Sequence, residues 1–174
     1  MHRIIAGATG LVGKALTEQW LTQQCKITVI GRSKHKIIAQ FGQRVSALTW
    51  NEVTPELFHD AEVVVNLAGV GLAEKRWTDA QKNEILNSRL ETTNKLASML
   101  ASIGENAAPL FNASAIGVYG LQAHAAGQLP PRLDETTTID FDAAPDFLAR
   151  VGRAWEQATL PAKQAGVRVV NMRF

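Results

Sequence analysis

Cysteine occurs once in the 174 residues, at Cys25, and tyrosine once, at Tyr119. A lone thiol closes no internal disulfide, and no CxxC or Cys/His spacing offers a zinc site. No apolar stretch approaches the roughly 20 residues that cross a bilayer. The chain reaches a glycine turn by Gly7, without the charged head and apolar run of a signal peptide. Charge of one sign is scarce too. Eighteen Lys and Arg against sixteen Asp and Glu leave a formal charge of +2, and the one basic cluster is Lys34, His35 and Lys36. Such a balance carries no footprint for nucleic acid or an acidic membrane. With 46% hydrophobic and 20% charged residues, the expectation is one soluble, cytoplasmic domain with room for a core.

Short, mostly β-branched apolar runs are present at Arg3–Ala6, Ile27–Ile30, Val45–Leu48, Val63–Leu67, Leu110–Asn112 and Val167–Met172. They lack strict alternation, as parallel strands covered on both faces do. Helix-like segments fall between them, at about Leu11–Gln24, Lys34–Phe41, Thr78–Ala101 and Ala144–Gln164. The alternation predicts an α/β fold: a Rossmann-type doubly wound parallel sheet, helices on both faces, strand order 3-2-1-4-5-6. Thr78 and Gln81 have the spacing of a capping box. Leu86, Leu90, Thr93, Ala97 and Leu100 form the expected inward stripe of the long helix. The irregular stretch Leu121–Asp142, with Gly127, Pro130 and Pro131, is long enough to suggest a functional loop. VRVVNMRF reads as a sixth strand, and a chain stopping on a core strand suggests truncation.

Gly7-Ala8-Thr9-Gly10-Leu11-Val12-Gly13 follows the first strand and opens the first helix. The first glycine permits a tight turn, the second lets backbone approach a pyrophosphate, and the third lets helix and strand pack closely. The helix N-terminus then offers free N–H groups to the anion. The alternative is a glycine-rich turn without a ligand, against which the full strand–helix pattern weighs. An NAD site usually carries a carboxylate at the end of the second strand, for the ribose 2′-OH. Here the sequence is Ile30-Gly31-Arg32-Ser33-Lys34. Arg32 can hold a 2′-phosphate, Ser33 can donate a further bond, and Lys34 or Lys36 adds charge. NADP(H) is the cofactor expected, against the alternative of a solvated basic turn.

GATGLVG, Asn66-Leu67-Ala68-Gly69 and the segment from Ser114 to Val118-Tyr119-Gly120 resemble the extended, epimerase-like branch of the short-chain dehydrogenase/reductase superfamily. NLAGVGLAEKRWTDAQKNEILNSRLETTNKL, SAIGVYG and DFLARVGRAWE are similar, more narrowly, to an atypical epimerase-family group. Its bacterial members are labelled nucleoside-diphosphate-sugar epimerases or cell-division-inhibitor-like proteins. The resemblance covers Met1 to Phe174. It implies Arg32 at the 2′-phosphate, Leu67, Ala68 and Gly69 passing their backbone along the cofactor, and Glu84 and Arg89 nearby. On the residues alone, Glu84 and Arg89 read equally as a solvated helix face. The resemblance also implies a smaller C-terminal substrate domain beyond an NADP-binding Rossmann domain at 1–174.

The superfamily's YxxxK pair, in which lysine lowers the tyrosine pKa and tyrosine moves a proton at the substrate oxygen, is absent. Four residues after Tyr119 stands Ala123, and no lysine lies between Lys95 and Lys163. Aligned on Glu156, Leu148 and Gly152 take the two places. The usual catalytic hydroxyl falls nearest Ala115, leaving Ser114 to bond substrate or to close the strand end. Tyr119 reads as structural, with a role as substitute acid the minority alternative; Ser114 and Tyr119 are the catalytic candidates. His124, Asp134 and Glu135 read as solvated loop residues, Asp146 and Glu156 as serving the last helix, Trp77 and Trp155 as packing. His2, His35 and His59 lack a triad or metal partner. The leading expectation is an NADP(H)-dependent epimerase-like oxidoreductase acting on a small molecule such as a sugar nucleotide. The rival is a non-catalytic NADP(H)-sensing or partner-binding protein, with cell division as the process the resemblance suggests. Substrate and oligomeric state stay open.

Overall fold

A computed structural model describes residues 1–73, 75–121, 129 and 131–174. Six strands, β1 (His2–Ala6), β2 (Lys26–Gly31), β3 (Ser46–Thr49), β4 (Val63–Asn66), β5 (Leu110–Ser114) and β6 (Val169–Arg173), form one sheet. Its order is β3-β2-β1-β4-β5-β6 and every neighbouring pair is parallel. Helices α1 (Leu11–Thr22), α2 (Lys34–Phe41), α3 (Asp79–Ile103), α4 (Phe147–Gln157) and α5 (Leu160–Gln164) complete the Rossmann fold.

The lack of alternation in the strands has its cause in two cores. Ile4, Ala6, Ile30, Val64 and Leu110 pack with Leu96, Ala97 and Leu100 of α3 and Ala162 of α5. Ile5, Val29 and Val65 point the other way, against Trp20 of α1 and Ile37 and Phe41 of α2. Adjacent residues of one strand thus feed opposite cores, so both parities must be apolar.

Three local readings change. The segment expected as one helix, Ala144–Gln164, is two. Pro161 has no N–H for the carbonyl of Gln157 and its ring crowds that turn, so α4 ends at Gln157 and α5 restarts with Pro161 in its first turn. On α3 the inward stripe is Ile85, Arg89, Thr93, Leu96, Ala97 and Leu100, while Leu86 and Leu90 are only partly buried. Thr78 does cap α3, accepting from the Gln81 N–H at 3.2 Å. The reciprocal bond is not made: the Thr78 N–H goes to the Arg76 carbonyl, and Gln81 Nε2 is buried without a partner.

His124, Gly127 and Pro130 lie outside the described residues. What is described of that stretch is anchored rather than loose. Buried Arg153 donates to the carbonyls of Val118 (3.0 Å), Ala143 (2.7 Å) and Asp140. Among the described residues no helix is long and apolar enough to cross a membrane, and no His/Cys/Asp/Glu group could hold a metal ion.

His2 is 8% exposed at the start of β1, its Nε2 2.9 Å from the Thr28 hydroxyl on β2. Burial first, and then the nearby Lys26 charge, hold its pKa below the ordinary 6.5. The folded state therefore favours neutral imidazole more than the unfolded chain does. The stability this confers is complete above the unfolded pKa and is lost as pH falls through the depressed folded one. Denaturant midpoints should fall between about pH 7 and pH 5, and His2→Gln should flatten that part of the profile. An unchanged slope in the variant would remove His2 from the account.

Candidate functional site

Where β1 and β4 diverge to opposite helical layers, a cleft of about 700 Å³ opens beyond the carboxyl ends of β1, β2 and β4. Gly7, Thr9 and Gly10 form one wall, Gly31 and Arg32 with Trp50 another, and Leu67, Ala68, Gly69 and Val70 a third. Residues of α3 from Glu84 to Lys95 close it. A doubly wound sheet binds its ligand at this reversal of strand order, because successive crossovers leave opposite faces and part there.

The glycine wall is built by close backbone approach. Gly7 has φ +82°, and a Cβ there would stand 2.6 Å from the carbonyl carbon and oxygen of Leu67. A Cβ on Gly13 would stand 2.5 Å from the Gly7 oxygen. Gly10 differs: its φ is −79° and its nearest neighbour would be 3.5 Å away. Among the described residues nothing crowds a Cβ at position 10, and Gly10 lines the cleft. α1 begins immediately after Gly10 with no acidic residue in its first turn, so its unpaired N–H groups are uncompensated. Leu11 and Val12 are exposed and Gly13 is buried in the helix–strand contact; none of the three lines the cleft.

At the end of β2, Arg32 is exposed and has no hydrogen bond or ion pair among the described residues. Ser33, expected as a further donor, serves as an acceptor here. It caps α2, its Oγ accepting from the Lys36 N–H at 3.4 Å, and it does not line the cleft. Nor does Lys34 offer a free charge, because its ammonium is paired with Glu52. Glu52 closes a capping box after β3, with Oε2 accepting from the Thr49 N–H (2.9 Å) and hydroxyl (2.7 Å). Lys34 first, then those two donors, pull the Glu52 pKa down to about 2.

The third wall is held from behind. Both polar backbone atoms of Val70 are bound by consecutive residues of α3: its N–H donates to Ser88 Oγ (3.1 Å) and its carbonyl accepts from Arg89 Nη1 (3.0 Å). Arg89 is 9% exposed, also bonds the Ile85 carbonyl, and stacks its guanidinium 4.9 Å from the Trp155 ring centre. It therefore stands neither on a solvated face nor in the cleft. Burial lowers its pKa. Gly69 is small for Arg89's sake, since a Cβ would meet the guanidinium at 3.2 Å. Glu84 lines the cleft, with Lys75 3.8 Å away. Ser88 was not singled out in the sequence; its signal was the S-R step of the long α3 motif.

Ser114 and Tyr119, the catalytic candidates, lie elsewhere. Ser114 at the end of β5 is 3% exposed and donates to Glu156 Oε1 at 2.7 Å. Arg173 at the end of β6 grips the same carboxylate with Nε (2.9 Å) and Nη2 (3.0 Å). Its Nη1 donates to the Tyr119 oxygen at 2.9 Å, and the Tyr119 hydroxyl donates to the Asp134 carbonyl at 2.7 Å. Glu156 thus ties β5 to β6 rather than serving α4, and its carboxylate raises the Arg173 pKa. Asp146 does cap α4, accepting from the Ala149 N–H. Neither Ser114 nor Tyr119 lines the cleft. The missing lysine coincides with a tight contact: a Cβ on Gly152 would stand 3.2 Å from the backbone of Val118, in the turn Ile116–Tyr119.

Comparison with known proteins agrees with this architecture. A sequence-family profile described as "NAD dependent epimerase/dehydratase family" matches residues 3–174. An epimerase family protein of Mycobacterium bovis is 34% identical over 173 residues, covering 97% of this chain and 51% of its own length. One from Staphylococcus haemolyticus is 34% identical over 173 residues, covering 98% and 53%. The chain thus spans about half the length of the curated relatives it matches. Among solved structures, human epimerase family protein SDR39U1 (isoform 2), crystallised with NADPH, superposes with a TM-score of 0.77 at 25% identity, over 99% of this chain and 53% of that one. UDP-N-acetylglucosamine 4-epimerase from Bacillus cereus shares the fold, with a TM-score of 0.68 at 17% identity over 100% and 60%.

Proposed function

The chain belongs to the NAD dependent epimerase/dehydratase family, and from that premise we propose that it binds NADP(H) across the β1–β4 cleft and serves hydride transfer. The substrate class is a hydroxyl- or carbonyl-bearing small molecule, a sugar nucleotide in particular. One observation carries the cofactor choice: at the end of β2 the cleft wall presents the guanidinium of Arg32, unpaired among the described residues, where an NAD site carries a carboxylate.

The residues fit the cofactor. Gly7 and Gly10 leave room for a pyrophosphate against the start of α1, and Arg32 meets a 2′-phosphate with its planar fork. Leu67, Ala68 and Gly69 turn backbone toward the cleft with Val70 clamped behind them, and Glu84 borders it from α3. When bound, the nicotinamide supplies the hydride chemistry. The chain's part is to hold and orient it. In this reading residues 1–174 are the cofactor-binding domain, and a smaller C-terminal domain completes the substrate side.

A second reading is a non-catalytic NADP(H) sensor. It is favoured by Gly152, packed against Val118, standing where the superfamily's lysine falls, and by the hydroxyl protons of Ser114 and Tyr119 being given to Glu156 and Asp134. Redox change of the bound cofactor with a panel of sugar nucleotides and carbonyl compounds separates the two.

Calorimetric titration with NADPH and NADH tests the shared cofactor reading. Arg32→Ala should weaken NADPH by about 1.5–3 kcal/mol, the range for a hydrogen bond to a charged group, and leave NADH nearly unchanged. Equal losses for both nucleotides would take Arg32 off the 2′-phosphate.

A further inference from the structure

The two chain segments that form the β2 side of the cleft are joined by a charge pair. Arg32 and Trp50 line the cleft, and two residues beyond each of them Lys34 and Glu52 meet as an ion pair. The wall is one unit, because Gly31 pairs in register with Thr49 on β3. Glu52 is fixed there by the N–H and hydroxyl of Thr49 as well as by Lys34. A carboxylate so held has little freedom to turn away from an incoming dianion. Its constraint does not come from Lys34 alone.

We propose that Glu52 is a specificity-determining residue: by neutralising Lys34 beside Arg32, it holds the preference for a 2′-phosphorylated nucleotide below what the two cations would give together. The inference rests on the NADP(H) reading of the cleft. Arg32, Lys34 and Glu52 together sum to +1, where Arg32 and Lys34 alone would give +2; Lys95, whose ammonium donates to the Trp50 carbonyl, adds the same further charge to both totals. Both nucleotides carry the same pyrophosphate, so a charge placed at this wall acts most strongly on the phosphate that only one of them bears. The pair is exposed enough for salt to damp it, which bounds the effect to a few-fold to tenfold.

Glutamine at position 52 is the informative substitution. Its amide oxygen can still accept from Thr49 and keep the capping box, while the charge on Lys34 is released. Calorimetric Kd values for NADPH and NADH are to be measured at low salt for the wild type, Glu52→Gln, Lys34→Ala and the double variant. Glu52→Gln is expected to tighten NADPH by about three- to tenfold and leave NADH within about twofold. Lys34→Ala, which leaves Glu52 unopposed, should weaken NADPH by a similar factor. The double variant, neutral at both places like the intact pair, should return near the wild type. The proposal is overturned if Glu52→Gln leaves NADPH unchanged, or if it shifts NADH equally. A wild type that prefers NADPH and loses that preference with Arg32→Ala, while Glu52→Gln does nothing, sinks this inference and spares the cofactor reading. A wild type that binds neither nucleotide sinks both.

Discussion

Glu156→Ala is expected to lower the unfolding free energy by about 3–5 kcal/mol, the range for removing one partner of a buried ion pair. The substitution takes the carboxylate acceptor from two groups, although Arg173 keeps its bond to the Tyr119 oxygen. Arg173 loses its paired bonds to the carboxylate, and Ser114, 3% exposed, loses the acceptor of its hydroxyl. The Arg173 side chain retains 19% exposure against 5% for Glu156, so partial hydration should place the loss toward the lower end of that range. The damage should centre on the β5–β6 pairing, since Ser114 and Arg173 are register partners at the ends of those strands. Urea unfolding measures it. Glu156→Gln, which keeps an acceptor but not the charge, should lose less. A cost below about 1 kcal/mol for the alanine variant would mean that the network is held by its neighbours rather than by the carboxylate.

Gly13→Ala and Gly10→Ala should separate the two duties of the glycine loop. At Gly13 the added methyl would lie 2.5 Å from the Gly7 oxygen and 2.7 Å from the Ala8 Cα. Both are backbone atoms of the loop that packs α1 on β1, so the helix itself must move. A loss at or above the 1–3 kcal/mol usual for an overpacked site is expected, about 3 kcal/mol or more. At Gly10 the backbone is extended and the nearest atom would be 3.5 Å away, so Gly10→Ala should fold with nearly unchanged stability. Because Gly10 lines the cleft, NADPH affinity should fall about tenfold or more as the added methyl displaces the pyrophosphate from the N-terminus of α1. Thermal unfolding and calorimetry on the same two variants read the contrast. A Gly10→Ala protein that binds NADPH as tightly as the wild type would remove the pyrophosphate from this loop.

The alternation of strands and helices, and hence the sheet order, was legible because each signal is local: a β-branched run, a glycine turn, a cap. Hydrophobic runs without alternation state that a strand is covered twice, whatever covers it. Arg32 was legible for the same reason, being defined by its distance along the chain from the glycine turn. Ser88 and Arg89 were visible only as part of a motif, since nothing in sequence says that two helix residues would seize both backbone groups of one residue, Val70, eighteen and nineteen positions earlier. The inward stripe of α3 was legible at Thr93, Ala97 and Leu100, but in its first turns Ile85 and Arg89 take the inward places expected for Leu86 and Leu90, because a buried arginine is not legible from residue type. A stacked ring and two carbonyls make its burial tolerable.

By itself the sequence determined the doubly wound fold, the glycine loop and the missing YxxxK pair, because residue type and spacing along one chain suffice for each. Only the tertiary structure decided which groups are free to act. It gave Lys34 to Glu52, Ser114 to Glu156 and the Tyr119 hydroxyl to the Asp134 carbonyl. The physical reason is that a donor's availability depends on which acceptor lies within about 3 Å of it, and those acceptors are brought up by strands and loops distant in sequence.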